Sequence, residues 1–158
     1  KAWDVGTCGQ HVHLSRSAFT KDALAAFVAF VNHGGNEKLV IRLAGRNNSQ
    51  WANIAPKTIE EATEPCGRYQ AVNLQNTATI EVRIFRSSLK LSRILRNLEF
   101  CDALARACIS GAIVYGDTWG KFAVYLSDKT ARYPLLTAWL AENGVTVTPE
   151  TTLENEAA

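Results

Sequence analysis

The alternation of apolar and polar residues along the chain predicts a mixture of short strands and longer helices. Near the N-terminus, the segment GQHVHLS alternates polar and apolar side chains over 11–15, the period of a half-buried strand. Apolar residues at positions i, i+3, i+4 and i+7 then predict a helix over 21–33 with Thr20 as its N-cap. The segment 37–45 fits a helix or a strand, and we interpret it as a helix because Gly45 supplies a stop.

The second half of the chain predicts a β-hairpin followed by helices. The stretch 46–67 is polar with a proline near each end, so we expect a long loop that contains one helical turn. Two runs typical of strands, 68–74 and 78–85, flank the turn QNT and predict an antiparallel hairpin. Apolar periodicity then predicts three helices, at 91–115, 118–127 and 131–143.

These elements predict an α+β protein in which a curved, mostly antiparallel sheet is backed by helices. We expect a single domain over 1–144, followed by an acidic and frayed tail over 145–158. The charge is nearly balanced, with 17 Lys and Arg against 15 Asp and Glu, so the sequence gives no strong nucleic-acid signal. No apolar run approaches the roughly 20 residues that a membrane-spanning helix needs, and we expect no membrane partner.

The cysteines and the methionine content bear on cellular compartment and processing. Cys8, Cys66, Cys101 and Cys108 lack C-x-x-C spacing, and we interpret them as reduced thiols of a cytoplasmic protein rather than as disulfides. The chain has no methionine and begins with Lys1. Tag removal, natural composition, processing or origin in a longer polypeptide would each explain this.

Two polar strand faces carry the candidate chemistry, and the first is the H-x-H segment. Residues i and i+2 of a strand face the same side, so His11, His13 and Ser15 share one face. Val12 and Leu14 are then expected to point into the core. Taken alone, this pattern is more typical of two surface histidines than of a binding site.

The second polar face belongs to the segment ATIEVRIFR. Strand alternation places Glu81 and Arg83 on one face, together with Thr79 and Phe85. The core face is then expected to hold Ile80, Val82 and Ile84. Taken alone, the Glu–Arg pair is as well explained by a solvated ion pair worth about 0–1 kcal/mol.

The two faces together indicate a site for a divalent cation and phosphates. Imidazoles and a carboxylate would lie on adjacent strands, with Arg68 and Arg86 adding positive charge nearby. Carboxylates and imidazoles ligate Mg²⁺ or Mn²⁺, and arginines bind phosphate or carboxylate oxygens in bidentate fashion. Such an arrangement stabilises charge during phosphoryl transfer.

At these residues the chain resembles the carboxylate–amine ligases of the glutamine synthetase fold. Those enzymes carry a G-x-H-x-H-x-S strand and, downstream, an R-I-E-x-R-F strand that leads into a long helix. The sequence is most similar to the phage and bacterial amidoligase branch, four of whose motifs recur in the same order over most of 8–110. The corresponding segments are Gly9–Arg16, Gly45–Asn48, Arg68–Leu74 and Thr79–Ser87.

The resemblance implies a partial glutamine synthetase-like catalytic core that forms amides from carboxylate and amine substrates, small molecules or peptides, through an acyl phosphate. It implies ATP and Mg²⁺ (or Mn²⁺) as cofactors, in the cytoplasm of a bacterium or a phage-infected host. The implied metal ligands are His11 and Glu81, and the implied catalytic residues are Arg68, Glu81 and Arg83. The implied nucleotide-binding residues are His13, Ser15, Arg46, Arg68 and Arg86.

One family motif does not occur in the sequence, and this leaves alternatives open. The G-x-E-x-E strand that supplies metal-binding carboxylates is missing, while Glu60, Glu61 and Glu64 lie in the long loop. We therefore expect either the major fragment of a ligase, completed by an N-terminal segment or a second subunit, or a non-catalytic binding or assembly module. A metal-dependent hydrolase that uses H-x-H is a weaker third alternative, since no further His or Asp cluster follows.

Overall fold

The structure, a computed structural model, describes residues 8–47 and 50–148. These residues form an α+β fold with a three-stranded antiparallel sheet and six α-helices, which confirms the predicted class. The elements in chain order are β1 (Gly9–Ser15), α1 (Lys21–Asn32), α2 (Glu37–Ala44), α3 (Ile59–Thr63), β2 (Val72–Asn73), β3 (Thr79–Arg86), α4 (Leu91–Ile109), α5 (Trp119–Leu126) and α6 (Pro134–Glu142). A short 3-10 turn, Arg16–Ala18, follows β1.

The ends of the helices follow local signals in the sequence, except that one helix ends earlier than predicted. Thr20 caps α1 by accepting a hydrogen bond from the Ala23 N–H, and Gly45 ends α2 with a left-handed φ of 72°. The helix predicted over 91–115 ends at Ile109 instead. The reason is a turn in which Gly111 adopts a φ of 77° and the chain leaves the helix axis.

The predicted hairpin is shorter than the sequence pattern suggests. The strand order is β1-β3-β2, and β2 pairs with β3 only through Val72 and Asn73. Side chains of the connecting loop explain the short pairing, because Asn73 Oδ1 accepts from the Gln75 N–H at 3.0 Å. Asn76 Oδ1 likewise accepts from the Ala78 N–H at 2.8 Å, so local turns replace further ladder bonds.

A β-bulge interrupts the pairing of β1 with β3. Gln10 is opposite Phe85 and Val12 is opposite Val82, so two residues of β3 face the single His11 of β1. The extra residue reverses the alternation, and Phe85 turns to the core, where its ring centroid lies 6.3 Å from that of Phe100. The prediction that Phe85 shares the polar face of Glu81 is therefore wrong.

The core lies between the sheet and the helices, with α1 buried along nearly its whole length. Phe100 of α4 lies at the centre of an aromatic cluster with Phe85, Trp119 and Phe122. Cys101 and Cys108 are buried in α4, as their helical spacing predicted, and no disulfide joins any cysteines in the described residues. In the same residues no helix is both long and apolar enough to cross a bilayer. Most of the predicted tail, from residue 149, lies outside the described part of the chain.

Candidate functional site

The polar face of the sheet is centred on Glu81 in the middle strand. Register places His13 of β1 on one side of Glu81 and Asn73 of β2 on the other. Glu81 Oε2 accepts a hydrogen bond from Asn73 Nδ2 at 2.9 Å, and both carboxylate oxygens lie 3.1 Å from Arg83 Nη1. Glu81 Oε1 lies 2.6 Å from His11 Nδ1. We call these five residues the Glu81 cluster.

The carboxylate of Glu81 is kept ionised by its partners. Burial alone would raise its pKa, since the side chain is only 13% exposed. Hydrogen bonds from Asn73 and Arg83, together with the positive charge of Arg83, outweigh burial and hold the pKa of Glu81 below its usual value. The cluster therefore contains a fixed negative charge at neutral pH.

His11 is neutral at the same pH. Burial and the positive charge of Arg83 lower its pKa, and the interaction with Glu81 does not reverse the shift. The contact between His11 and Glu81 is therefore a hydrogen bond from a neutral ring, rather than a charged pair. Because Glu81 is ionised and can only accept, Nδ1 carries the proton and Nε2 keeps a lone pair for a proton or a metal ion. A carboxylate that orients a histidine in this way is common behind metal-binding imidazoles.

His13 is the more accessible of the two histidines. Its side chain is 51% exposed, and its Nε2 lies 3.8 Å from Glu81 Oε1. Its Nδ1 lies 3.2 Å from the hydroxyl of Thr79, the neighbouring residue on the same face. The ring is therefore the solvent-facing member of the cluster.

Arg83 is buried but has donor capacity to spare. Only 9% of the residue is exposed, and its Nε finds no hydrogen-bond partner in the described part of the molecule. A buried donor without a partner costs on the order of 1–3 kcal/mol, so such groups generally have a structural or functional reason. The Nε atom has almost no accessible surface, so an oxyanion would reach it only after the Arg83 side chain moves.

Arg46 lies beneath the bulge and binds backbone carbonyls. Its Nε donates to the Ile84 carbonyl at 3.0 Å, and its Nη2 donates to the Arg83 carbonyl at 2.7 Å. Its Nη1 donates to the carbonyl of Cys8 at 3.0 Å. The bulge removes carbonyls from the ladder, and Arg46 satisfies them. Arg46 therefore holds β1 and β3 together, and its binding to a nucleotide stays a prediction.

The other predicted nucleotide-binding residues are not members of the cluster. Ser15 is exposed at the end of β1, with its Oγ 3.0 Å from that of Ser17. Arg86 is exposed at the end of β3. Arg68 is exposed in a turn, with Cζ 6.0 Å from the centroid of Tyr69, and has no ion pair or hydrogen bond with another described residue.

Asn73 is the residue that the sequence reasoning missed. The sequence did contain a signal for it, because Asn73 is a polar residue in the otherwise apolar run AVNL and a buried amide requires hydrogen-bond partners. Asn73 is 8% exposed, donates to Glu81 and accepts from the Gln75 N–H. It therefore both orients the carboxylate and ends β2.

The described residues fit a metal ion only in part. Residues 8–47 and 50–148 contain no group of three or more His, Cys, Asp or Glu placed to hold one. The carboxylates of the long loop do not join the cluster: Glu61, for example, caps α3 by accepting from the Thr58 N–H at 2.9 Å. In this arrangement Glu81 orients His11 from behind, so His11 Nε2 remains as the direct ligand. An ion there would take its other ligands from phosphate oxygens and water, as is usual for Mg²⁺ with nucleotides.

No protein-family model, curated protein or solved structure matches this chain.

Proposed function

We propose that this chain is an ATP-dependent carboxylate–amine ligase, or the major part of one, built on a partial glutamine synthetase-like core. The observation that carries the proposal is the convergence of three resemblance motifs on one carboxylate. His11 comes from GQHVHLS, Asn73 from RYQAVNL and Arg83 from TIEVRIFR, and each contacts Glu81. Only His11 reaches Glu81 from a distant motif, because Asn73 and Arg83 lie eight and two residues from Glu81 in sequence.

The charges of the cluster suit the phosphates of a magnesium-bound nucleotide. Arg83 offers a buried donor for a phosphoryl or carboxylate oxygen, and His13 stands at the solvent side. His11 Nε2 would hold the ion, with Glu81 behind the ring to orient it, and the ion would neutralise charge on the phosphates. In the proposed reaction the substrate carboxylate takes the γ-phosphoryl group of ATP and releases ADP. The amine then attacks the acyl phosphate, so that the amide forms and phosphate leaves.

The roles of the surrounding residues belong to the same proposal. Arg68 and Arg86 would contact the acidic substrate or the outer phosphates after local rearrangement, and Ser15 would border the nucleotide. We expect the reaction to join an acid and an amine substrate in the cytoplasm of a bacterium or of a phage-infected host.

Thermal unfolding with and without Mg-ATP tests the binding step. A ligand at about 100 times its Kd stabilises the native state by about 2.7 kcal/mol, which would raise the Tm of a domain of this size by about 5–10 °C. We expect this shift in the wild type and its loss in Glu81→Gln and His11→Ala. The matched controls are Glu37→Gln, on the exposed side of α2, and His33→Ala, at the end of α1. No shift in the wild type with millimolar Mg-ATP or Mn-ATP would contradict the proposal.

A second measurement separates the ligase from the binding module. ADP release that requires both a carboxylate and an amine supports the ligase. Nucleotide binding without ADP release, across a panel of acids and amines, would favour the non-catalytic module.

A further inference from the structure

The beginning of α4 carries an unusual concentration of positive charge. Lys90 is its N-cap and forms no side-chain capping bond, and the first turn contains no acidic residue. Arg93 and Arg96 follow at intervals of three, on the same side of the helix. Helix N-termini have a partial positive charge and favour acidic side chains, so this arrangement is electrostatically unfavourable by itself.

These cations line a cavity between α4 and α6. The cavity has a volume of about 290 Å³, and its walls include Lys90, Arg93, Arg96, Trp139 and Glu142. Glu142 is the single carboxylate in a lining that contains three cations. Lys90 and Arg93 form no ion pair with any residue of the described ranges. The basic pocket, as we call this cavity, therefore has a net positive charge that the protein does not compensate.

Two contacts hold Arg96 in place, and one of its N–H donors has no partner among the described residues. Its Nη2 donates to the Leu43 carbonyl at 2.7 Å, and its Cζ lies 5.2 Å from the ring centroid of Trp139. Its Nε is buried and has no partner among the described residues. Burial, and to a lesser extent the charge of Arg93, lower the pKa of Arg96, while Glu142 acts in the opposite direction.

We propose that the basic pocket binds a small phosphate-bearing molecule, a phosphate monoester with an organic group of modest size. Two arginines and a lysine beside the N-terminus of a helix match the charge and the fork geometry that phosphate prefers. Leu135 and Trp139 supply apolar wall for the organic group. A volume of about 290 Å³ accommodates a phosphate and a single ring or short chain.

This site is distinct from the Glu81 cluster. Gln10 precedes His11 in β1, and its Oε1 accepts from Asn97 Nδ2 of α4 at 2.9 Å, whereas His11 contacts Glu81. Neighbouring strand residues point to opposite faces, so α4 and the Glu81 cluster lie on opposite sides of the sheet. The inference goes beyond the proposed ligase function and does not depend on it.

Titration calorimetry with phenyl phosphate and with inorganic phosphate, at low ionic strength and without divalent cations, tests the proposal. The double variant Lys90→Gln/Arg93→Gln is expected to weaken phenyl phosphate binding at least about tenfold, as loss of charged contacts requires. The control Lys21→Gln/Lys38→Gln removes the same charge from exposed helix positions and is expected to bind like the wild type. Glu81→Gln is also expected to bind like the wild type, which separates this site from the proposed nucleotide site.

One further variant tests the organic part of the ligand. Trp139→Ala is expected to weaken phenyl phosphate more than inorganic phosphate, because it removes apolar wall and leaves the cations. The proposal is overturned if the wild type binds neither probe. It is equally overturned if the two double variants lose affinity to the same extent, which would indicate a diffuse charge effect.

Discussion

Arg46 offers the sharpest test of how this fold supports its site. We predict that Arg46→Met destabilises the protein strongly, although the residue lies in a polar segment after a short helix. Its guanidinium satisfies the carbonyls of Arg83 and Ile84 at the bulge and that of Cys8 at the start of β1. Methionine keeps much of the side-chain length but has no donor, so these carbonyls would lose their partners.

The expected magnitude follows from the three bonds. A hydrogen bond to a charged group contributes about 1.5–3 kcal/mol, so three independent bonds would sum to about 4.5–9 kcal/mol. The bonds share one side chain that is half-buried, and water would replace part of the loss. We therefore expect the free energy of unfolding to fall by about 3–5 kcal/mol, with a Tm lower by about 6–20 °C.

Urea unfolding followed by circular dichroism measures this loss. The control is Arg42→Met, an exposed arginine whose Nη1 makes one hydrogen bond, to Asn143 Oδ1 at 3.2 Å. The control is expected to change the free energy of unfolding by no more than about 0.5 kcal/mol. A loss below about 1 kcal/mol in Arg46→Met would refute the role assigned to this residue.

Gly9 provides an independent check of the same contact. A Cβ atom at Gly9 would lie 2.5 Å from Arg46 Nη2, so Gly9→Ala must displace the guanidinium. We expect Gly9→Ala to lower the free energy of unfolding of the wild type. When it is combined with Arg46→Met, the loss due to Gly9→Ala should be smaller by about 1 kcal/mol or more. Equal costs in the two backgrounds would mean that Gly9 is not required for the approach of Arg46.

Three further predictions concern charge, packing and thiol reactivity. The folded state holds the pKa of Glu81 below its ordinary value of 4.5. The ionised carboxylate therefore stabilises the protein above pH 4.5, and this stabilisation is lost as the pH falls through the folded-state pKa. Urea unfolding between pH 6 and 3 should therefore show a shallower loss of stability in Glu81→Gln than in the wild type, and parallel curves would contradict this. Phe100→Ala, in the aromatic cluster, should cost about 3–5 kcal/mol in the same assay, and a cost below about 1 kcal/mol would contradict the packing. A thiol reagent followed by mass spectrometry should modify exposed Cys66 first, because burial raises the pKa of Cys101 and raises that of Cys108 to about 12. Comparable native-state rates at Cys66 and Cys108 would show that α4 opens readily.

Most helices could be predicted because their signals are local. The periodicity of α1 and its Thr20 cap lie within adjacent turns, as does the Gly45 stop of α2. The single turn expected in the long loop is α3, whose capping box, Thr58 with Glu61, was present in the sequence as T-x-x-E. The extent of β2 was less predictable, since the amide side chains of Asn73 and Asn76 compete with the ladder for backbone N–H groups.

The polar face was visible in the sequence only as two separate strands. Alternation alone put His11 with His13 and Glu81 with Arg83, because the period of a strand is a property of the local backbone. The distances that join these pairs depend on the register between β1 and β3, which the sequence pattern leaves open.

The bulge is the feature that local pattern could not reveal. It turns Phe85 into the core, leaves carbonyls of β3 without ladder partners and thereby recruits Arg46 from a distant loop. Simple alternation therefore predicts the polar residues of the face correctly but misplaces Phe85, and it does not identify Arg46 as the residue that holds the strands. Backbone groups buried in the fold must find partners wherever the folded chain supplies them, and that requirement acts between segments that are far apart in sequence.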